Sequence, residues 1–215
     1  MSLKLNAAMA KNADKTSSII RETGKYVGII TRAEKLRSQN GTEGVGFSFK
    51  TDDGSTANYL DVYTVKADGK ELWGNNIVQA ILCCTRVKDA PEGEIAFERW
   101  DSEVREMVPT KAPGYPALMG KRIGLILQKE IQSHYQTGAD QERINIVRVF
   151  EADTGLTSSE ILEGKTKPQK VDEFMKTLLP VRDSRKKGAA SVVTLSQQQA
   201  AAGQKSSEFD EDIPF

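Results

Sequence analysis

The chain is poor in the residues on which many catalytic and metal sites depend. Its 215 residues include one histidine, His134, and two cysteines, Cys83 and Cys84. Because the cysteines are adjacent, a disulfide between them would be strained, and neither has a partner elsewhere for a disulfide framework or a four-ligand zinc site. We therefore expect two reduced thiols in the core, no metal site and no cofactor.

Enzyme motifs are also missing from the sequence. His134 lies in "QSHYQTG", near a predicted turn, and no Ser, Cys or acid completes a recognisable triad motif around it. No Gly-rich loop ends in Lys-Ser or Lys-Thr, and "GVGFSF" lacks the spacing that cradles a phosphate. The sequence therefore predicts a protein that is not an enzyme.

Long apolar segments are absent. No run of eighteen apolar residues occurs, and the apolar stretch in "MSLKLNAAMAKNADKTSS" is too short for a secretory signal. The sequence predicts neither a membrane span nor export, so the expected location is the cytoplasm.

The chain has no net charge, with 30 basic and 30 acidic residues. This balance is unusual for a nucleic-acid-binding domain, which normally has a basic excess. The last eight residues, "EFDEDIPF", however contain four acids and no base, which leaves 30 basic and 26 acidic residues in the rest of the chain. The sequence thus has a mildly basic body and an acidic C-terminal tip, residues 208–215.

Turn signals divide the first half of the chain into strands. "QNG" at 39–41, "DDG" at 52–54 and "ADG" at 67–69 suit tight turns, and the segments between them are rich in β-branched and aromatic residues. They predict a three-stranded antiparallel meander. The three strand segments are "KYVGIITRAEKL", "EGVGFSFKT" and "ANYLDVYTV".

A helix and a second hairpin complete the predicted domain. Apolar residues recur at helical spacing in "KELWGNNIVQAILCCTRV", where we place Trp73 in the core. "KRIGLILQKEIQSHY" and "ERINIVRVFEA" then flank a turn. Five main strands with one helix between the third and fourth predict a mainly β, OB-fold-like antiparallel barrel, although a sandwich fits the strand count as well.

The remaining segments define the predicted domain organisation. Residues 88–120 contain four prolines around a possible short strand or strand pair, which predicts a long, partly irregular excursion. "VDEFMKTLLP" at 171–180 predicts a short helix that docks on the barrel. Between Pro180 and the tip the chain is polar and lacks aromatics, as is typical of a disordered tether. We predict four parts: an N-terminal extension (1–23), the barrel domain (24–180), a flexible linker (181–207) and the tip (208–215).

The C-terminal tip resembles that of bacterial single-stranded DNA-binding proteins, which end in acidic residues followed by Ile-Pro-Phe behind a similar linker. The body does not align with theirs, and a different body with this tip resembles the single-strand binders encoded by bacteriophages. The resemblance implies an OB-fold that binds single-stranded DNA largely without sequence specificity during replication, recombination and repair. It also implies that the tip recruits the partner proteins.

The chemistry of the tip fits docking. Phe215 offers a ring for an apolar pocket and a terminal carboxylate for an arginine, while Pro214 limits the entropy lost on binding. The acidic residues would also compete with DNA for a basic groove. The predicted docking residues are Glu208, Asp210, Glu211, Asp212, Ile213, Pro214 and Phe215.

Binding of single strands needs aromatic faces and cations. Tyr59 and Tyr63 alternate with apolar residues on the third strand and are expected to face outward, as is Lys50 on the second. Trp100 is expected either to form a groove wall or to pin the excursion to the barrel. Each basic residue taken alone reads as an ordinary surface charge. The candidate DNA contacts are Tyr59, Tyr63, Lys50, Trp100, Arg99, Arg32, Lys35, Arg37, Lys121, Arg122 and Lys129, and Arg143 and Arg148 are further suitable cations.

Two other functions fit the same sequence. A recombination mediator or annealing protein would use the same tip, and an OB-fold adaptor would dock through the tip without binding DNA. The sequence does not determine the oligomeric state, so a homo-oligomer is also compatible with it.

Overall fold

The computed structural model describes residues 19–134 and 137–185. The first 18 residues of the predicted extension, the predicted linker from residue 186 onward and the C-terminal tip lie outside the described residues.

The described chain is mainly β. Its strands are β1 (Gly24–Arg37), β2 (Glu43–Thr51), β3 (Thr56–Val65), β4 (Gly93–Asp101), β5 (Glu106–Gly114), β6 (Arg122–Ser133), β7 (Asp140–Phe150) and β8 (Val181–Asp183). Its helices are α1 (Trp73–Cys84), α2 (Ser158–Leu162) and α3 (Lys170–Thr177), with a short 3-10 helix at Pro116–Leu118.

Five strands form the barrel. They follow the order β3-β2-β1-β6-β7, and neighbours on this path are antiparallel. The first part of β1 pairs with β6 and the rest with β2, while α1 packs against β3 and β7, which lie side by side. This is the predicted OB-fold-like barrel with a helix after its third strand. All strands belong to one sheet, so the sandwich alternative does not apply.

Strict alternation on β2 and β3 fills the core as expected. Val45, Phe47 and Phe49 are each at most 4% exposed, and Leu60 and Val62 oppose them from β3. Alternating apolar residues on paired strands share one face, which here is the barrel interior.

The two cysteines differ in their surroundings. Cys84 is buried, and desolvation raises the pKa of its thiol to about 12, so the thiol stays protonated. Cys83 is only half-buried. The expectation of a core thiol is confirmed for Cys84.

Trp73 does not lie in the core. It is 64% exposed, whereas Ile77, Ile81 and Cys84 form the buried face of α1. Trp73 begins the helix one turn before Ile77 and therefore lies past the edge of the core. The prediction was wrong because helical spacing does not show where the sheet beneath a helix ends.

The proline-rich excursion is more regular than its sequence suggests. β4 and β5 form a nine-residue-per-strand hairpin in register from Gly93↔Gly114 to Asp101↔Glu106. In the described residues its strands pair with the barrel at one position, Glu34↔Gly114. Pro109 and Pro113 lie on β5. Apart from Gly114, the edge of β5 that faces away from β4 is unpaired in the described residues. A proline, which lacks an N–H, is tolerated on such an edge.

The predicted docking helix is confirmed. Val171 of α3 packs with Ile126 and Phe150 in a second apolar cluster on the outer side of β6 and β7. Phe174, Met175 and Leu178 pack against the same cluster.

Both flanks of the barrel domain extend further than the sequence indicates. Ile20, placed in the N-terminal extension, is 6% exposed and belongs to the main core. Residues 181–183, placed in the linker, form β8 and pair in parallel with β6. Arg185 then contacts Asp140 at 2.8 Å. No helix within the described ranges is long and apolar enough to cross a membrane.

Glu160 joins the two C-terminal helices. Its fully buried carboxylate accepts hydrogen bonds from Thr157 N and Oγ1, both at 2.9 Å, and from the backbone N–H groups of Gln169 at 2.8 Å and Lys170 at 3.0 Å. Burial alone would raise the pKa of Glu160, but these four hydrogen bonds outweigh it and lower the pKa to about 2.

We expect Glu160→Gln to lower the free energy of unfolding by about 1–3 kcal/mol, because an amide cannot satisfy all four donors. The pKa of Glu160 is lower in the folded state than its ordinary value of 4.5. Its stabilising effect is therefore present above about pH 4.5 and is lost as the pH falls toward 2. Urea unfolding between pH 7 and pH 2.5 tests both points. Glu173→Gln, an exposed carboxylate of α3, is the control, and an equal loss in both variants would contradict the assignment.

Candidate nucleic-acid interface

The outward side chains of β1, β2 and β3 form a continuous surface, which we call the outer face. Glu34 pairs with Gly46, and Gly46 pairs with Asp61, so residues at these positions point to the same side of the sheet. The outer face carries Arg32 and Glu34 from β1, Lys50 from β2, and Tyr59, Asp61 and Tyr63 from β3.

Tyr59 is the most prominent aromatic of the outer face. It is 62% exposed, as expected from the sequence, and lies where the register of β2 and β3 shifts between Phe47 and Phe49. Its φ of 58° is a left-handed conformation that costs a bulky residue about 1–3 kcal/mol. Such bulges redirect side chains and often occur at functional sites. An aromatic ring is thus held in solvent by a strained backbone.

Arg32 lies beneath this ring and is not an ordinary surface charge. It is only 5% exposed, and its guanidinium carbon is 5.4 Å from the centroid of the Tyr59 ring. Gly46 makes room for it, since a Cβ there would lie 3.1 Å from Arg32 Nη2.

The guanidinium of Arg32 is short of acceptors. Nη1 is 3.5 Å from Glu34 Oε2 and Nη2 is 3.8 Å from Asp61 Oδ1, which are long distances for hydrogen bonds. The buried Nε has no hydrogen-bond partner among the described residues. A buried guanidinium with unfilled donors is unusual and suggests a role beyond packing.

The β4–β5 hairpin forms a wall beside Arg32. Arg99 Nη2 donates to both carboxylate oxygens of Glu34, at 2.6 and 2.7 Å. The Phe97 ring centroid lies 5.6 Å from the guanidinium carbon of Arg32 and 5.2 Å from that of Arg99. An aromatic ring and a short ion pair therefore hold the hairpin against β1.

Trp100 is directed away from this wall. Side chains alternate along β4, so Trp100 points to the hairpin face opposite to Phe97 and Arg99, where it is 52% exposed and pairs with Met107. The sequence pattern favours Trp100 as the aromatic of this segment, whereas Phe97 is the ring that lies beside Arg32 and Arg99. Strand alternation could have shown this, because Phe97 lies two residues from Arg99 and shares its face, whereas Trp100 is adjacent to Arg99 and lies on the other face.

One end of the outer face is basic. Cross-strand pairing aligns Arg122 of β6, Ile29 of β1 and Lys50 of β2 in one row. Lys50 is exposed as expected, while Arg122 contacts Asp52 at 2.6 Å and Asp153 at 3.1 Å. At the other end Tyr63 is half-buried, and desolvation raises the pKa of its hydroxyl.

Asp61 lies between the two tyrosines. Burial raises the pKa of its carboxyl, and the positive charges of Arg32 and Arg143 oppose this effect. Arg143 thereby contributes to the edge of the outer face from β7. Arg148 does not, because its guanidinium lies over Trp73 at 5.7 Å and over Phe174 at 4.6 Å.

The remaining candidate cations do not join the outer face. Lys35 and Arg37 follow the buried Ala33 at two-residue spacing on β1, so they lie on the side of the strand opposite to the outer face. Lys35 contacts Glu92 at 2.8 Å at one end of the barrel. Lys129 of β6 contacts Glu142 at 3.1 Å. Lys121 is exposed just before β6, beside Arg122.

The described part of the chain is not basic. Counted on the sequence, residues 19–134 and 137–185 contain 24 Lys and Arg against 25 Asp and Glu. The basic excess of the body therefore belongs to the segments outside the described residues. Binding of a polyanion to the outer face would have to depend on stacking more than on net charge.

Glu34 contacts both Arg32 and Arg99. We expect Glu34→Ala to lower the free energy of unfolding by about 3 kcal/mol, because it leaves the buried charge of Arg32 without its nearest carboxylate. Arg99→Ala, at a partly exposed partner, should cost about 1 kcal/mol. Urea unfolding provides the measurement, with Glu92→Ala as a control for an exposed ion pair. Equal losses for Glu34→Ala and Glu92→Ala would show that the network does not support the hairpin.

Comparisons with known proteins add no family assignment. Within the described positions, no group of three or more His, Cys, Asp or Glu side chains is arranged to hold a metal ion. No protein-family model matches the chain, and a search of curated proteins finds no match either.

Proposed function

We propose that this protein binds single-stranded DNA, largely without sequence specificity, in replication, recombination and repair, and recruits partner proteins through its C-terminal tip. The observation that carries the proposal is the exposed ring of Tyr59 on the outer face of an OB-fold-like barrel. The corresponding strands of OB-folds bind oligonucleotides.

The outer face supplies the two kinds of contact that single strands require. Tyr59 offers an exposed ring, Tyr63 lies farther along β3, and Phe97 lies in the adjoining wall. A base stacked on an aromatic ring contributes about 1–3 kcal/mol and is accepted almost irrespective of its identity. Lys50 can reach a phosphate at the basic end of the face. A strand that crosses β3 and β2 would meet these groups in turn.

The charge balance indicates that stacking and phosphate attraction come from different parts of the chain. The barrel supplies stacking, while cations near its C-terminal flank, Arg182, Lys186 and Lys187, can add attraction for phosphates. The C-terminal tip carries the opposite charge and competes for the same cations when no DNA is bound. Phe215 and its carboxylate then become most available to partners when DNA occupies the protein.

We expect Tyr59→Ala to weaken binding of a labelled single-stranded oligonucleotide about tenfold, because a stacking surface is lost. Fluorescence anisotropy over a salt series is the measurement. Trp73→Ala is a matched control, since it removes an aromatic of similar exposure that contacts Arg148 rather than the outer face. If the unaltered protein bound no oligonucleotide, the proposal would fail and an adaptor that only docks would remain.

Deletion of residues 208–215 should tighten binding of single-stranded DNA, most clearly at low salt, because it removes an internal competitor with four acidic residues. Phe215→Ala keeps those charges and should leave DNA affinity unchanged while it weakens partner docking. Unchanged or weaker DNA binding by the truncated chain in a salt titration would disprove the competition.

A further inference from the structure

We propose that Asp61 reads the amino group of a base, so that the protein binds strands rich in cytosine more tightly than strands rich in uracil or thymine. This inference rests on the proposed function and specifies the chemistry of its substrate. It describes a preference of several-fold within otherwise general binding.

The position of Asp61 suits this task. It lies on β3 between Tyr59 and Tyr63, and all three side chains point to the outer face. The Asp61 side chain is 33% exposed, so one side of its carboxylate is open to a ligand. The Tyr59 ring and the Asp61 carboxylate both lie beside the guanidinium of Arg32, at 5.4 and 3.8 Å, so a base stacked on Tyr59 can bring its polar edge to Asp61.

The carboxylate of Asp61 has unused acceptors. Its ion pair with Arg32 is 3.8 Å long, from Nη2 to Oδ1, which is beyond hydrogen-bonding distance, and the charge of Arg143 acts on it as well. Glu34, the other carboxylate of the outer face, is by contrast occupied by Arg99. A partly buried carboxylate gains free energy when a donor fills its empty lone pairs.

The donors that a single strand can supply to this position are base amino and imino groups. Cytosine presents its N4 amino group, which can donate a hydrogen bond to a carboxylate. Uracil and thymine carry a carbonyl oxygen at the same place, and their N3–H imino donor lies between two carbonyl oxygens whose lone pairs repel a carboxylate. Asp61 therefore favours cytosine through attraction and disfavours uracil and thymine through repulsion.

The charges around Asp61 and Glu34 also bias which side of the DNA strand faces the barrel. Glu34 and Asp61 already offset the charges of Arg32 and Arg99 at the centre of the outer face, so phosphates gain little there, while the cation Lys50 lies toward its end. A strand satisfies both conditions when its bases face the barrel and its backbone lies outside. This arrangement brings base edges to Asp61, whereas a duplex offers no free Watson–Crick edges to it because its bases are already paired.

The test compares labelled oligo-dC and oligo-dU of equal length with the full chain at neutral pH by fluorescence anisotropy. The two polymers differ only at the Watson–Crick edge of their bases. We expect oligo-dC to bind about fivefold more tightly, which corresponds to about 1 kcal/mol, the net contribution of one typical hydrogen bond. Asp61→Asn, which can donate as well as accept, should bring the ratio close to one.

Asp172→Asn is the matched control, because Asp172 carries the same charge on α3, where it pairs with Lys25 and not with the outer face. Its ratio should equal that of the unaltered chain. Thermal melting checks that each variant folds, and Asp61→Ser replaces Asp61→Asn if the latter does not. Equal affinities for the two polymers, or a preference that survives the Asp61 substitutions, would overturn this inference alone. Absence of binding to either polymer would instead overturn the proposed function.

Discussion

The bulge in β1 is the constraint on which the outer face depends. The register with β2 shifts between Ile30 and Arg32, so Thr31 is an extra residue in the strand. Before the bulge Ile29 faces out and Ile30 faces the core; after it, Ala33 faces the core and Arg32 and Glu34 face out. Without the extra residue, regular alternation would direct Arg32 into the barrel interior and Ala33 outward. The same bend lets one long strand pair with β6 at its start and with β2 along the rest.

A second consequence of the bulge is the way the hairpin is attached. Glu34 can reach Arg99 only because it faces outward, and Phe97 then lies against Arg32. The hairpin is thus fixed by side chains more than by backbone pairing. Its other face carries Trp100, Met107 and an exposed ion pair between Glu94 and Lys111, none of which contributes to the attachment.

The sequence predicts those parts of the fold in which local alternation is unbroken. Phe47 and Phe49 on β2, and Leu60 and Val62 on β3, alternate strictly with outward residues, and their burial follows directly. The sequence could not predict the burial of Arg32, because that depends on a bulge, on the lack of a side chain at Gly46 and on cover from a hairpin whose Arg99 is 65 residues beyond Glu34. Trp73 and Trp100 show the same limit. Spacing tells which residues share a face, but tertiary packing decides whether that face meets the core.

The left-handed backbone of Tyr59 implies a trade-off between stability and activity. A glycine adopts this conformation without strain, so Tyr59→Gly would relax β3 while it removes the ring. If the ring serves DNA binding, the stablest barrel is not the best binder. A screen for thermal stability alone would then select against the residue on which recognition depends.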